Sequence, residues 1–363
     1  IRKIQGRFSE ADVIYRKALS YIHENQLEDF PHSIKILAGY GHLMIQRHEI
    51  AEAKSYLRKA IQMAQQTDIV LAQKAYQDLS EVFIREHDLR SALANIQECR
   101  QQIQKNQCKY FQLFNQLLLA TEARIHLETG RVDRAYAWLK SSGLEDCLSN
   151  ELYLKFGIQL GYILPIAVRI YLQKDLVDRA KEILSAAIPK FLHTGANAYL
   201  IRALCSAALT YHRSGETQKA IRALVKAINL AKPERNLGDF IFVGRGLMPL
   251  LYETLKSGME PEFCGELLAI FSDYSNHQIH AIYPMNTIDP LSQRELDVLQ
   301  LISKGMTNRE IAGKLFLSAN TIKSHSIKIY RKLNVSNRAQ AVSKARLRGI
   351  LPQKYSAHSQ TFV

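Results

Sequence analysis

The 363 residues are 47% hydrophobic and 23% charged, an ordinary globular composition long enough for two or more folding units or one long repeat array. The net charge is +14 and is unevenly placed: residues 291–350 hold twelve Lys/Arg against three Asp/Glu, a local net of +9 that points to a polyanion partner. The five cysteines show no metal-ligand or redox spacing and read as reduced, mostly buried thiols of a cytosolic protein. No secretory signal is visible. The most apolar stretch, 156–168, is too short to span a bilayer and contains Gln159 and Pro165. No membrane partner is expected, and the expected location is the cytoplasm.

One pattern recurs along the first three quarters of the chain. A turn residue is followed five positions later by a small residue, nine positions later by a larger one, and twelve positions later by another small one. The copies are Gly6/Ala11/Tyr15/Ala18, His48/Ala53/Leu57/Ala60, His87/Ala92/Ile96/Cys99, Gly130/Ala135/Leu139/Ser142, Asp175/Ala180/Leu184/Ala187 and Gly215/Ala220/Leu224/Ala227. Intervals between turn residues are 42, 39, 43, 45 and 40. Steps of four and three residues keep the patterned positions on one helical face. Small side chains there let a neighbouring helix approach, and the larger one fills the seam.

A second helical stretch lies upstream of several turns, at 69–84, 111–127, 152–172 and 198–212. Each unit is therefore a helix pair, and stacked pairs make a superhelix. Residues 237–276 close the array with one helix predicted at 240–255 and another at 262–274, separated by Gly258 to Pro261. Domain 1–276 is thus an all-α array, and 277–290, with Pro284 and Pro290, reads as a linker.

Residues 291–350 form a second domain, followed by a tail at 351–363. Four short helices are predicted at 292–303, 307–315, 318–333 and 336–347. Ser292 with Glu295 and Thr307 with Glu310 are capping boxes, Ser318 and Ser336 are N-caps, and Gly305 ends the first helix. Leu296, Leu299 and Ile302, then Ile311, Ala312 and Leu315, then Ile322, Ile329 and Leu333 form the predicted core. The opposite face of the third helix carries Lys323, Ser324, Ile327, Lys328 and Arg331. A lone Ile on a cationic face suits a helix in a DNA major groove, where Lys bonds guanine edges and an aliphatic group meets a thymine methyl.

The segments LSQRELDVL, GMTNREIA, LSANTIKSH and IYRKLNVSNRAQAV identify residues 290–349 as a member of the LuxR-type helix-turn-helix family. That resemblance implies that the second and third helices form the DNA-binding motif. Lys323, Ser324 and Ile327 would face bases. Thr321, His325, Lys328, Arg331 and Lys332 would hold phosphates, and Thr307 and Asn308, at a helix N-terminus, a further one. Ser326 departs from the family, which has an aliphatic residue there. Its hydroxyl costs stability unless it bonds a backbone carbonyl.

The array pattern resembles tetratricopeptide repeats, whose usual period is about 34 residues. Spacing near 40 followed by a LuxR-type head resembles the MalT-like subgroup of regulators. These carry a nucleotide-binding domain that couples ATP and inducer to self-association. No G-x-x-x-x-G-K-[ST] occurs here, so no cofactor is expected in this chain. ATP is expected only if such a domain lies upstream of Ile1, which the missing Met favours.

No enzyme motif stands against this reading. HEIAEA at His48 lacks the second His of a zinc helix, and neither G-x-S-x-G nor paired Cys occurs. His42, His87, His126 and His193 read as turn or helix-surface residues, and Trp138 as core. The expectation is a DNA-binding activator of promoters, with RNA polymerase as a partner, self-association on DNA, and an inducer or regulatory protein in the repeat groove. The alternative is a repeat scaffold with an accessory DNA tether.

Overall fold

The turn residue of every copy adopts the left-handed conformation. In the computed structural model φ is +75° at Gly6, +66° at His48, +59° at His87, +68° at Gly130, +60° at Asp175 and +78° at Gly215. Glycine enters this region without steric cost, and Asp and His are enriched in it among other residues. The same bond pair closes these helix ends. His48 N–H donates to Ile45 O at 3.1 Å and Glu49 N–H to Met44 O at 2.8 Å. Gly215 N–H donates to His212 O and Glu216 N–H to Tyr211 O at 3.1 and 2.8 Å. Carbonyls that a helix end would orphan are thereby satisfied.

The structure describes residues 1–27, 30–105, 111–144, 157–273, 293–315, 317–333, 335 and 337–347. The expected linker 277–290, the tail 351–363, Ser292, Ser336 and the start of the predicted 152–172 stretch lie outside these. Two units form, Ile1–Ile282 and Tyr283–Val363. The described residues contain helices and turns but no strand. None of their helices is long and apolar enough to cross a membrane.

In the first unit the described helices are α1 (Phe8–Glu24), α2 (Pro31–Gln46), α3 (Ile50–Gln66), α4 (Gln73–Arg85), α5 (Leu89–Lys105), α6 (Phe111–Glu128), α7 (Val132–Ser141), α8 (Leu160–Gln173), α9 (Val177–His193), α10 (Asn197–Arg213), α11 (Thr217–Ala231), α12 (Gly238–Val243), α13 (Met248–Lys256) and α14 (Pro261–Asp273). The odd-numbered helices from α1 to α11 carry the small-residue pattern. From the second copy on it is buried as the spacing predicts: Ala53, Leu57 and Ala60, then Ala92, Ile96 and Cys99, and so on to Ala220, Leu224 and Ala227. The first copy is looser, with Tyr15 and Ala18 only half-buried. Cys205 and Cys264 are buried with Cys99, and Trp138 is in the core.

The even-numbered helices α2, α4, α8 and α10 bury nearly their whole circumference. On α4 even Gln73, Gln77, Asp78, Ser80, Glu81 and Arg85 are inside. Buried charge must be paired. Glu81 takes Arg85 at 2.7 Å and also Arg124 from α6. Arg169 on α8 meets Glu128 at 2.8 Å, and Arg202 on α10 meets Asp239 at 2.6 Å. His42, read as a turn or helix-surface residue, is half-buried on α2. Its Nδ1 lies 3.0 Å from Asp78 Oδ1.

The predicted helix at 240–255 is broken. It appears as α12, a turn of 3₁₀-helix at Arg245–Leu247, and α13. Gly244 sits between them with φ +106° and ψ −180°, a region that only glycine enters readily. All six residues of α12 are buried.

Close approach at the seams predicts asymmetric tolerance. A methyl group on Gly41 of α2 would lie 2.8 Å from Leu57 Cγ. Ala227 of α11 is as fully enclosed as Leu57. Ala227→Leu is therefore expected to lower stability by about 1–3 kcal/mol through overpacking. Ala51→Leu, at an exposed alanine of α3, should stay within about 0.5 kcal/mol. Urea unfolding followed by the fluorescence of the single Trp, Trp138, checks both.

Candidate nucleic-acid interface

The second unit contains α15 (Gln293–Ser303), α16 (Asn308–Leu315), α17 (Ala319–Leu333) and α18 (Arg338–Leu347). Local chemistry sets the ends of these helices. Gly305, at φ +87°, lets α15 stop. Thr307 N–H and Oγ1 both donate to Glu310 Oε2, at 2.6 and 2.8 Å, and Glu310 N–H returns a bond to Thr307 Oγ1 at 3.4 Å. This is the reciprocal capping box, and these bonds hold the Glu310 carboxyl below its usual range. Ser318 Oγ accepts from Thr321 N–H at 3.1 Å and caps α17. Asn337 caps α18, its Oδ1 accepting from Gln340 N–H at 2.9 Å.

The core joins Val298, Leu299, Leu301 and Ile302 of α15 to Ile311 and Ala312, Ile322 and Ile329, and Ala341 and Ala345. Leu296, expected inside, is half-exposed, while Glu295 is buried. The inward face of α15 is rotated toward Glu295, whose carboxyl in the first turn faces the positive end of the helix dipole. Leu315 packs at the edge of this core, and the side chain of Leu333 lies outside the described ones. Ser326 is buried and donates to Ile322 O at 2.9 Å, so its hydroxyl is satisfied without a partner helix.

Two arginines of the basic segment are structural, which composition alone does not reveal. Arg294 donates to Leu315 O at 2.9 Å, at the C-terminus of α16. Arg338 donates from Nη2 to Ile302 O at 3.2 Å and to Met306 O, at the end of α15. Each cation meets carbonyls at the negative end of a helix.

With Ile322, Ser326 and Ile329 facing inward, the other side of α17 is turned to solvent. Lys323 and Lys328 are exposed there, and Ile327 is 58% exposed. Lys323 and Ile327 are four residues apart and share one row. Thr321, His325 and Lys328 form a separate row at the other edge of the exposed face and are half-buried, half-buried and exposed. The side chains of Ser324, Arg331 and Lys332 lie outside the described ones, although their backbone continues the helix. Asn308 stands at the start of α16, beside Thr307, whose donors are taken up by Glu310. Among the described residues no group of His, Cys, Asp and Glu is arranged to hold a metal. A helix backed by a four-helix core and exposing Lys323, Ile327 and Lys328 has chemistry suited to a major groove.

Residues 1–257 match the family model described as MalT-like TPR region. The chain belongs to that MalT-like family. Its residues 289–345 match a second model, bacterial regulatory proteins of the luxR family. Among curated relatives, the HTH-type transcriptional regulator MalT of Yersinia enterocolitica is 25% identical over 361 residues, covering 94% of this chain and 39% of that protein. MalT of Serratia proteamaculans is 24% identical over the same share of each. MalT of Klebsiella pneumoniae is 30% identical over 153 residues, covering 37% of this chain and 17% of that protein. The MalT-like chain thus spans about two fifths of the length of the relatives it matches throughout. A MalT-like repeat region followed by a LuxR-type DNA-binding domain is its architecture.

The arginine caps predict a separation of roles. Arg338→Ala should destabilise the second unit by about 1–3 kcal/mol, the range for bonds from a charged donor to part-buried carbonyls. Ser326→Ala should change it by less than about 0.5 kcal/mol. Hydrogen exchange of the α17 amides reads this unit directly, since Trp138 belongs to the other one.

Proposed function

We propose that this chain is the sensing and DNA-binding part of a transcription activator. α17 lies in the major groove of promoter DNA. Lys323, Ser324 and Ile327 read base edges. Thr321, His325, Lys328, Arg331 and Lys332 grip phosphates, with Asn308 and Thr307 on a further phosphate at the start of α16. The exposure of Ile327 between Lys323 and Lys328 carries this reading, because an aliphatic group on a cationic helix face suits contact with a thymine methyl beside guanine edges. With Thr307 engaged by Glu310, Asn308 is the stronger of the two helix-start contacts. One such module buries little surface, so self-association on DNA supplies the remaining affinity. The repeat array meets an inducer or a regulatory protein, RNA polymerase is contacted at the promoter, and the chain acts in the cytoplasm without catalysing a reaction.

Duplexes selected from a random pool by the full chain test the reading. Log affinity should fall with log salt with a slope near −0.9 per phosphate contact. Lys323→Ala should cost about 1–3 kcal/mol on the selected duplex and relax one base preference. Ile327→Ala should cost about 1 kcal/mol, at a site containing thymine. Lys332→Ala should weaken selected and random duplexes alike and lower the slope by about one. No enrichment of any duplex, or a slope near zero, would sink the reading. Identical behaviour of Lys323→Ala and Lys332→Ala on both duplexes would sink the docking of α17.

A further inference from the structure

In a stacked array each unit touches only its neighbours. α12 breaks that rule. It comes from the end of the array, yet its first residue meets the beginning. Arg85 of α4 donates from Nη1 to Ile45 O of α2 and from Nη2 to Gly238 O of α12, each at 3.0 Å. A side chain on Gly238 would strike the Gln46 backbone, with Cβ 2.6 Å from its Cα. Farther along, Asp239 accepts from Arg202 Nε of α10 at 2.6 Å and from Asn236 Nδ2 at 2.6 Å. The guanidiniums of Arg124, from α6, and Arg202 lie over the Phe242 ring, 4.1 and 4.2 Å from its centroid. The Tyr162 ring of α8 adds an aromatic contact at 5.1 Å. Helices α2, α4, α6, α8 and α10 thus converge on one six-residue segment.

Besides the apolar packing of Phe240, Ile241 and Val243 in the array core, these contacts are polar and aromatic. α12 is held by a guanidinium on its backbone carbonyl, a carboxylate–arginine pair, and an aromatic ring between cations. Such contacts recognise a peptide by its acidic and aromatic groups. The segment is also bounded as a separate piece. Arg235 before it has φ +50°, and Gly244 after it has φ +106°.

We propose that the inner face of the array, built on Arg85, Arg124 and Arg202, is a docking site for a partner segment with an acidic residue followed three positions on by an aromatic one. α12 fills that site in cis through Asp239 and Phe242. A partner segment of the same chemistry binds by taking its place. The inference rests on the reading of the array as the sensing part of the chain, and it gives that part a partner chemistry.

The test uses the full chain carrying Asp239→Asn and Phe242→Ala, with a fluorescent peptide of the sequence of residues 236–245. The altered chain should bind the peptide at least about tenfold more tightly than the unaltered chain, whose site is filled. Adding Arg202→Ala should abolish binding, as should the same two substitutions in the peptide. A folded altered chain, judged by circular dichroism, that does not distinguish the two peptides overturns the proposal. If the altered chain does not fold, hydrogen exchange in the unaltered chain decides. Amides of 238–243 exchanging about tenfold or more faster than those of α10 support displacement, and exchange at equal rates overturns it. DNA binding by the same variants is read separately. Peptide failure with intact DNA binding removes only this inference, and the converse removes only the regulator reading.

Discussion

A helix surrounded on every side has nowhere to put its polar side chains except against one another, and this constraint governs the repeat array. The left-handed turn residue folds each outer helix back along an inner one, and the small residues at the fifth and twelfth positions bring the two close. Closeness on the outer side and further helices on the inner side leave α4 and α10 without a solvent face. The charges inside then pair off: Glu81 with Arg85 and Arg124, Arg169 with Glu128, and Arg202 with Asp239. Removing one partner of such a pair strands the other, at about 3–5 kcal/mol. The fold depends on these residues as much as on any leucine beside them.

The outer layer is legible in the sequence because its signal is local and periodic. His48, His87 and Asp175 read as turns from spacing alone, although none is glycine, and all three are left-handed. The inner layer is less so. His42 looks like a surface residue within its own helix, and only α4, whose Asp78 lies 36 residues away, shows why it is half-buried. The break at Gly244 is local: the run from Phe240 to Leu255 is apolar enough for one helix, but it divides at a glycine held at φ +106° and ψ −180°. The half-buried Tyr15 and Ala18 show that the pattern specifies packing only where a neighbouring helix is present to receive it.

In the head, caps spanning three residues can be read directly, as at Thr307 with Glu310 and at Ser318 with Thr321. The exposed face of α17 is legible for the same reason, since Ile322 and Ile329 settle which side is buried. Glu295 defies the pattern, because periodicity places a carboxylate outside while the dipole of its own helix favours it within the first turn. Arg294 and Arg338 look like surface cations in the sequence because their acceptor carbonyls lie 21 and 32–36 residues away.

Those two arginines divide the basic charge of the head into two populations that respond differently to ions. Lys323 and Lys328 project into water, where a Debye length of about 8 Å at physiological ionic strength weakens their reach. Arg338 is part-buried against carbonyls and is shielded from that screening. Concentrated electrolyte would then strip the domain from a polyanion while leaving its architecture standing. Release and re-engagement can proceed as a reversible cycle of an intact particle, without refolding at each round.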